Sequence, residues 1–352
     1  MLLIEGQDGD QLWLLGVSEN EGELIQVGES YSFEPVTFEA ALGMVSNAAA
    51  HDGAGSFVTV EKNGDRNVLM CRQLASQTPV QTIELGDLRP VALHLVSRGL
   101  YVGTWGEVGW FDLDADPIVY QRLVHRPDFT HKPYDLFARN GDWLLAIDDN
   151  LMPILADLFR LDEEGRPTHF TEWKLPGLVN GTYRHALLVR NEEDAGVLYA
   201  SGPYERGYKE PGGQLLFALP IERESLGREE SWLSEIRPGT GEGDSPTLVA
   251  GDAFTQFGGM AWLPAKNGRE ANLFVAAGER GILVLPHMLA EDPAPKLIDA
   301  GGPVADVMTF GDALHALVGG ERSRVVRLDA QDGSFVPGAS FDLPGPARRF
   351  VR

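Results

Sequence analysis

An all-β fold built from seven repeated antiparallel units is predicted by three features of this sequence. A short apolar run, often ending in a small residue, recurs seven times along the chain. The 41 glycines and 22 prolines are spread as frequent turns instead of gathering in one linker. Amphipathic stretches long enough to supply the helices of a parallel α/β fold are scarce.

The recurring run reads Trp13-Leu14-Leu15-Gly16, Phe57-Val58-Thr59-Val60, Leu100-Tyr101-Val102-Gly103, Leu144-Leu145-Ala146-Ile147, Leu198-Tyr199-Ala200-Ser201, Leu273-Phe274-Val275-Ala276 and Leu314-His315-Ala316-Leu317. Four of the six spacings between copies match a propeller blade of about 40–50 residues. The widest, from Leu198 to Leu273, marks an insertion around 222–246.

The clearest unit lies between Val91 and Val124, where four apolar runs are separated by Ser97-Arg98, Trp105-Gly106-Glu107 and Asp114-Ala115-Asp116-Pro117. The same form returns between Val307 and Leu343. Four short strands joined by tight turns make a meander. The expected architecture is therefore a seven-bladed β-propeller of mostly four-stranded antiparallel blades, forming one domain over residues 1–352. Blades are placed at 1–37, 38–87, 88–127, 128–178, 179–254, 255–301 and 302–352. Gly16, Gly103, Ala146 and Ala276 fit a taper toward the axis. Short helical excursions are read at 38–44 and 223–229.

A net charge of -23 opposes binding to a phosphate backbone or an anionic membrane surface, and no basic stripe offsets it. Arg348, Arg349 and Arg352 read as a solvated end. Residues Met1 to Gly6 lack the basic and apolar regions of a secretory signal, and no apolar run approaches the ~20 residues that span a bilayer. The expectation is a soluble, cytoplasmic chain without a membrane segment. Cys71 is the only cysteine, which rules out an intrachain disulfide and a cysteine-rich zinc site. Its apolar surroundings mark it as a small core residue.

These four-run units resemble divergent seven-bladed β-propellers along nearly the whole chain. The segment from Val275 to Leu285, Val-Ala-Ala-Gly-Glu-Arg-Gly-Ile-Leu-Val-Leu, looks like the repeat element of LVIVD-type propellers. The Gly-His and Trp-Asp pairs of WD40 propellers and the double glycine of kelch repeats do not recur. What the resemblance implies is a fold that hosts binding scaffolds, hydrolases, isomerases and oxygenases alike.

Loops leading into the innermost strands of a propeller meet near one mouth of its channel, so their polar residues are the first candidates for a site. The densest such stretch runs from His125 to Asp135, followed in the next unit by Tyr183-Arg184-His185, with Asp306 at a similar offset in the last. His131, Asp135, His185 and Asp306 are the candidate catalytic residues. They pair bases with orienting acids, or supply nitrogen and oxygen ligands to a divalent metal. Tyr134, Arg184 and Trp105 are candidates for ligand binding.

Asp148-Asp149-Asn150 offers hard oxygen ligands, although neighbouring strand residues point to opposite faces. His51, His94, His185 and His315 do not fall into the four-histidine pattern of iron-dependent carotenoid oxygenases. Gly239-Thr240-Gly241-Glu242-Gly243 lacks the lysine of a phosphate-binding loop. Tyr204, Arg206, Tyr208 and Trp232, around the insertion, are candidate partner anchors. The leading functional expectation is an interaction or assembly module that takes a protein partner or a small polar ligand. The alternative is an enzyme acting on a small polar substrate at the channel mouth, such as a metal-dependent hydrolase, lactonase or isomerase.

Overall fold

The computed structural model describes residues 2–6, 9–17, 22–27, 36–38, 49–51, 56–63, 65–73, 79–126, 133–148, 154–175, 184–190, 196–203, 214–221, 256–265, 271–286, 296–310, 313–320, 322–331, 334–343, 347 and 349–350. Within them the chain forms 27 strands in seven antiparallel sheets. The first sheet holds β1 (Leu2–Gly6), β2 (Gly9–Val17), β3 (Gly22–Val27) and β4 (Val36–Phe38). The second holds β5 (Ala49–His51), β6 (Ser56–Asn63), β7 (Arg66–Gln73) and β8 (Pro79–Glu84). The third holds β9 (Ala92–Val96), β10 (Gly99–Gly103), β11 (Glu107–Asp112) and β12 (Tyr120–His125). The fourth holds β13 (Tyr134–Asn140), β14 (Trp143–Asp148), β15 (Ile154–Leu161) and β16 (Pro167–Leu175).

Three described strands form the fifth sheet: β17 (His185–Arg190), β18 (Gly196–Pro203) and β19 (Gln214–Ile221). The sixth contains β20 (Met260–Leu263), β21 (Asn272–Ala276), β22 (Ile282–Pro286) and β23 (Lys296–Ile298). The seventh contains β24 (Val304–Phe310), β25 (Ala313–Val318), β26 (Arg324–Gln331) and β27 (Ser334–Asp342). Each sheet is a meander drawn from one contiguous stretch of chain, and no sheet mixes the two ends of the sequence. Of the helical excursions expected from sequence, Phe38 lies in β4 and the remaining positions fall outside the described residues. Among the described residues no helix is long and apolar enough to cross a membrane.

All seven recurring quartets lie in the second strand of their sheets. That strand is flanked by neighbours on both edges, and where it is also packed on both faces alternation disappears and a continuous apolar run remains. β10 and β14 are buried at every residue, whereas the outermost strands β8 and β12 are mostly exposed or half-buried. The core accordingly lies between sheets. Val58, Val60 and Leu69 of the second sheet pack on Leu93, Leu95, Leu100 and Val102 of the third. Val96, Tyr101 and Trp110 continue onto Tyr134, Leu144 and Phe159 of the fourth. Equivalent apolar seams join the fifth sheet to the sixth and the sixth to the seventh. Each fully buried leucine in these seams contributes about 1.5–3 kcal/mol.

The first strands lie innermost and in succession. β5 packs beside β9, β9 beside β13, β13 beside β17, β17 beside β20, and β20 beside β24. β24 in turn meets β1, which brings the last sheet back to the first. Near this junction Phe350 is buried against Leu317, Val325 and Leu343.

Sheets can crowd this closely only where side chains are small. A Cβ added to Gly103 would lie 2.0 Å from the carbonyl oxygen of Tyr134 in the next sheet, and Gly258 faces the carbonyl of Ala305 at the same distance. Gly103→Ala is therefore expected to lower the unfolding free energy by about 1–3 kcal/mol, the usual cost of overpacking. Gly86→Asn should do much less, because Gly86 has φ +56 and open space around it, and asparagine tolerates that conformation. Urea denaturation of the two variants measures the difference.

Candidate functional site

The innermost strands all begin at one face of the ring, here called the leading face, and the sequence candidates that fall among the described residues lie there. Pairing register fixes their levels. His185 is opposite Ser201 and Asp306 is opposite Leu317, each the fourth residue of its second-strand quartet. In the fourth sheet the residue opposite Ile147 is Leu136, because the register shifts between Tyr134 and Leu136. Tyr134, opposite Asp148, thus holds the level one before that shared by Leu136, His185 and Asp306, and Asp135 is the extra residue between the two levels. The common offset expected from the sequence holds for His185 and Asp306 and is broken by the irregularity at Asp135. A second shift, at Ala305, precedes Asp306.

Two of these side chains are occupied within the fold. Asp306 is buried, its Oδ1 accepting the Val307 N–H at 2.8 Å and its Oδ2 the Phe350 N–H at 2.7 Å. Its carboxylate holds the carboxy-terminal segment against the innermost strand. Tyr134 is also buried, and its hydroxyl donates to Asp157 Oδ2 at 2.5 Å, away from the channel toward the third strand of its own sheet. Asp135 and His185 are half-buried, and Arg184 is exposed. His131, together with Tyr204, Arg206, Tyr208, Trp232, Asp149, Asn150 and the 222–246 segment, lies outside the described residues. Among the described residues no three His, Cys, Asp or Glu side chains gather into a group suited to a metal ion.

A different constellation dominates the corner between the third and fourth sheets. Arg126, just after β12, reaches across the seam. Its Nε donates to Tyr134 Oη at 2.6 Å and its Nη2 to Asp157 Oδ1 at 2.6 Å. The Asp157 carboxylate has 0% exposure and Arg126 only 10%. Burial, followed by the adjacent Asp157 carboxylate, pushes the Tyr134 phenol far above its ordinary range. A buried carboxylate is tolerated because an arginine and a phenol both donate to it.

Above this network sits Trp105, which bridges to Pro133 and remains 50% exposed. The turn that carries it is fixed from both sheets. Thr104 N–H donates to Glu107 O, Arg126 N–H to Gly106 O and Tyr134 N–H to Thr104 O, at 2.9, 2.8 and 2.9 Å. Glu107 in turn accepts from Tyr120 Oη and lies 2.9 Å from Arg122 Nε. Sequence reasoning singled out Trp105 and Tyr134 but missed Arg126 and Asp157. The readable signal was a lone aspartate inside the apolar strand Ile154–Leu161, which required a buried cationic partner.

Cys71 lies half-buried on β7 against the core shared by the second and third sheets. Burial pushes its thiol up to about 11, so it is protonated near neutral pH. Deeper in the second sheet Arg72 bonds Thr59 and both carboxylate oxygens of Glu61, a second fully buried ion pair.

No family model and no curated protein matches the sequence. Among solved structures, the chain is similar to one in the Mitotic Checkpoint Complex (TM-score 0.53, 10% identity, 86% of this chain and 82% of that one). It is also similar to the hydrazine synthase of Kuenenia stuttgartiensis (TM-score 0.52, 12% identity, 90% and 91%). A third similar structure is that of the RRP9 WD40 repeats (TM-score 0.51, 12% identity, 90% and 86%). Identities this low speak to fold alone, and the fold they share with this chain is the β-propeller.

Removing one member of the Arg126–Asp157 pair strands the other in the seam. Asp157→Ala is expected to cost about 3–5 kcal/mol. Disrupting the exposed pair Arg66–Glu84 should change stability by less than about 1 kcal/mol. The buried phenols add a pH dependence. Burial raises Tyr101, Tyr120, Tyr134 and Tyr199 above their ordinary value, Tyr199 to about 12. In the unfolded chain they release protons near pH ~10 while the folded chain keeps them. Their stabilisation is complete below that pH and is lost as the pH rises above it. The fall in unfolding free energy above about pH 10 should be shallower in Tyr134→Phe, as pH-dependent urea denaturation will show.

Proposed function

We propose that this chain is an interaction or assembly module, a closed propeller of seven blades over residues 1–352 that docks a protein partner on its leading face. The observation that carries this reading is Trp105, half-exposed on a turn that hydrogen bonds from two sheets hold rigid. A large aromatic presented without conformational freedom loses little entropy on binding, and buried tryptophans are among the strongest interface anchors. The other exposed large hydrophobics among the described residues, Val80, Val119, Phe170, Leu297 and Val336, lie on or beside outermost strands. Trp105 is the one at the leading face.

Tyr204, Arg206, Tyr208 and Trp232 belong to the same proposal as additional anchors, since Tyr204–Tyr208 separate β18 from β19 and Trp232 separates β19 from β20. The segment from Val275 to Leu285 spans the turn between β21 and β22, and its likeness to the LVIVD-type repeat element belongs to the same proposal. The Mitotic Checkpoint Complex neighbour, a propeller within an assembly, supports a binding role by analogy of fold. The enzymatic alternative is weakened by the two backbone N–H groups that Asp306 already accepts.

Partner binding is tested with tagged wild type and Trp105→Ala in extract of the native cell, followed by titration of the protein that wild type retains. Loss of an anchor of this kind should weaken the purified complex about 30-fold, the equivalent of about 2 kcal/mol. Equal affinity of the two forms would refute docking through Trp105. Stoichiometric divalent metal in the purified protein, lost in His185→Ala, would favour the enzyme instead.

A further inference from the structure

Val304, Val318, Arg324 and Asp342 form one row of the seventh sheet at the leading face. The chain that leaves β27 returns along this row toward the axis. Leu343 N–H donates to Ser323 O at 2.8 Å, just before β26. Ala347 N–H donates to Ser323 Oγ at 2.8 Å, and the same hydroxyl donates to Ala347 O at 3.3 Å. Phe350 N–H then donates to Asp306 Oδ2 on the innermost strand at 2.7 Å.

The Phe350 side chain is buried among Leu317, Val325 and Leu343, with Met308 and Phe341 packed alongside. Leu317 and Val325 are opposite each other in register. Their neighbours in the strands, Ala316, Val318 and Val326, belong to the core shared with the sixth sheet. Successive strand residues point to opposite faces, so Phe350 occupies the other face of the seventh sheet.

This segment is held as a peptide is held, and not as a strand. Ala347, Arg349 and Phe350 belong to no strand, and Arg349 is exposed. Pro344 and Pro346 have no N–H to give a ladder. Two buried side chains, Ser323 and Asp306, grip main-chain groups, while one apolar pocket takes one ring. Main-chain hydrogen bonds that give affinity and a side-chain pocket that gives specificity are the division of labour in peptide recognition. The seat is also ordered by the sheet itself. Asp306 Oδ1 accepts the Val307 N–H at 2.8 Å, and strand pairing fixes Leu317 and Val325.

We propose that this seat is a peptide-binding site, occupied in cis by the carboxy-terminal segment, for peptides that carry a small residue followed three positions later by phenylalanine. A short tether gives the cis segment an effective concentration of about 1 mM, so a free peptide enters only when the cis phenylalanine is removed. The inference is independent of docking through Trp105, which belongs to the third sheet.

The test titrates a fluorescent peptide copying residues 344–352 into full-length chains and follows its anisotropy. Saturable binding is expected to Phe350→Ala, with wild type at least about ten-fold weaker because its own segment fills the seat. Adding Asp306→Ala to Phe350→Ala should weaken the peptide about ten-fold through loss of a charge-assisted hydrogen bond. The same peptide with alanine in place of its phenylalanine should not bind. Phe350→Leu replaces Phe350→Ala should alanine disturb folding, and unchanged circular dichroism identifies the variants that fold. Absence of saturable binding to a folded Phe350 variant would overturn the proposal. Equal affinity for wild type and that variant, for the two peptides, or with and without Asp306 would place the peptide elsewhere and overturn it as well.

Discussion

Face-to-face packing of each sheet against the next is the constraint on which the rest of this molecule depends. The innermost strands converge so tightly that Gly103 meets the backbone of Tyr134, and Gly258 that of Ala305, with no room for a methyl group. Where neighbouring sheets touch on both faces of a second strand, as at β10 and β14, that strand has no solvent side. The same geometry places apolar side chains in the seams, leaves polar residues on the outermost strands, and fixes the face at which loops gather.

Such packing is unforgiving to charge, and the two buried ion pairs show how it is accommodated. Asp157 and Glu61 each accept from an arginine and from a neutral hydroxyl, so both carboxylate oxygens are satisfied where water is excluded. The Arg126 pair differs in joining two sheets. It ties the strand leaving the third sheet to the third strand of the fourth, directly beneath the turn that carries Trp105. A rigid exposed tryptophan and a buried ionic clamp are thus two sides of one corner: the clamp restrains the segment on which the turn of Trp105 rests.

What the sequence revealed follows the same physics. The seven quartets were legible because double-sided burial erases polar alternation and leaves short apolar runs at blade spacing. The levels of the polar candidates were less legible, because a single-residue register shift is invisible in composition. Asp135 and Asp306 look equivalent by counting from their strands, yet the register shift falls at Asp135 and Leu136 takes the equivalent place. Arg126 and Asp157 escaped for another reason. They are 31 residues apart in different sheets, and nothing local links them. Only the misfit of an aspartate within Ile-Leu-Ala-Asp-Leu-Phe-Arg-Leu hinted that a partner must cross the seam.

Repetition of backbone with variation of filling suggests where such a fold has room to act. Gly109, Asp157 and Val326 hold one register position in three sheets, and the space there is taken by a phenol ring, by an ion pair, and by the valine side chain itself. The pairing of the second strand with the third is preserved in all three, while the outermost strand differs in its register shifts and in a few side chains: Tyr120 against Pro337, Glu107 against Arg324. A seam closed by its own tyrosine or arginine stabilises the ring. In the seventh sheet Val326 closes the seam with its own side chain, buried in one apolar cluster with Phe274 and Phe335, whose rings meet edge to face. Variation is thereby confined to the outer part of the sheets, with the first strands keeping their succession and the outermost strands free to differ.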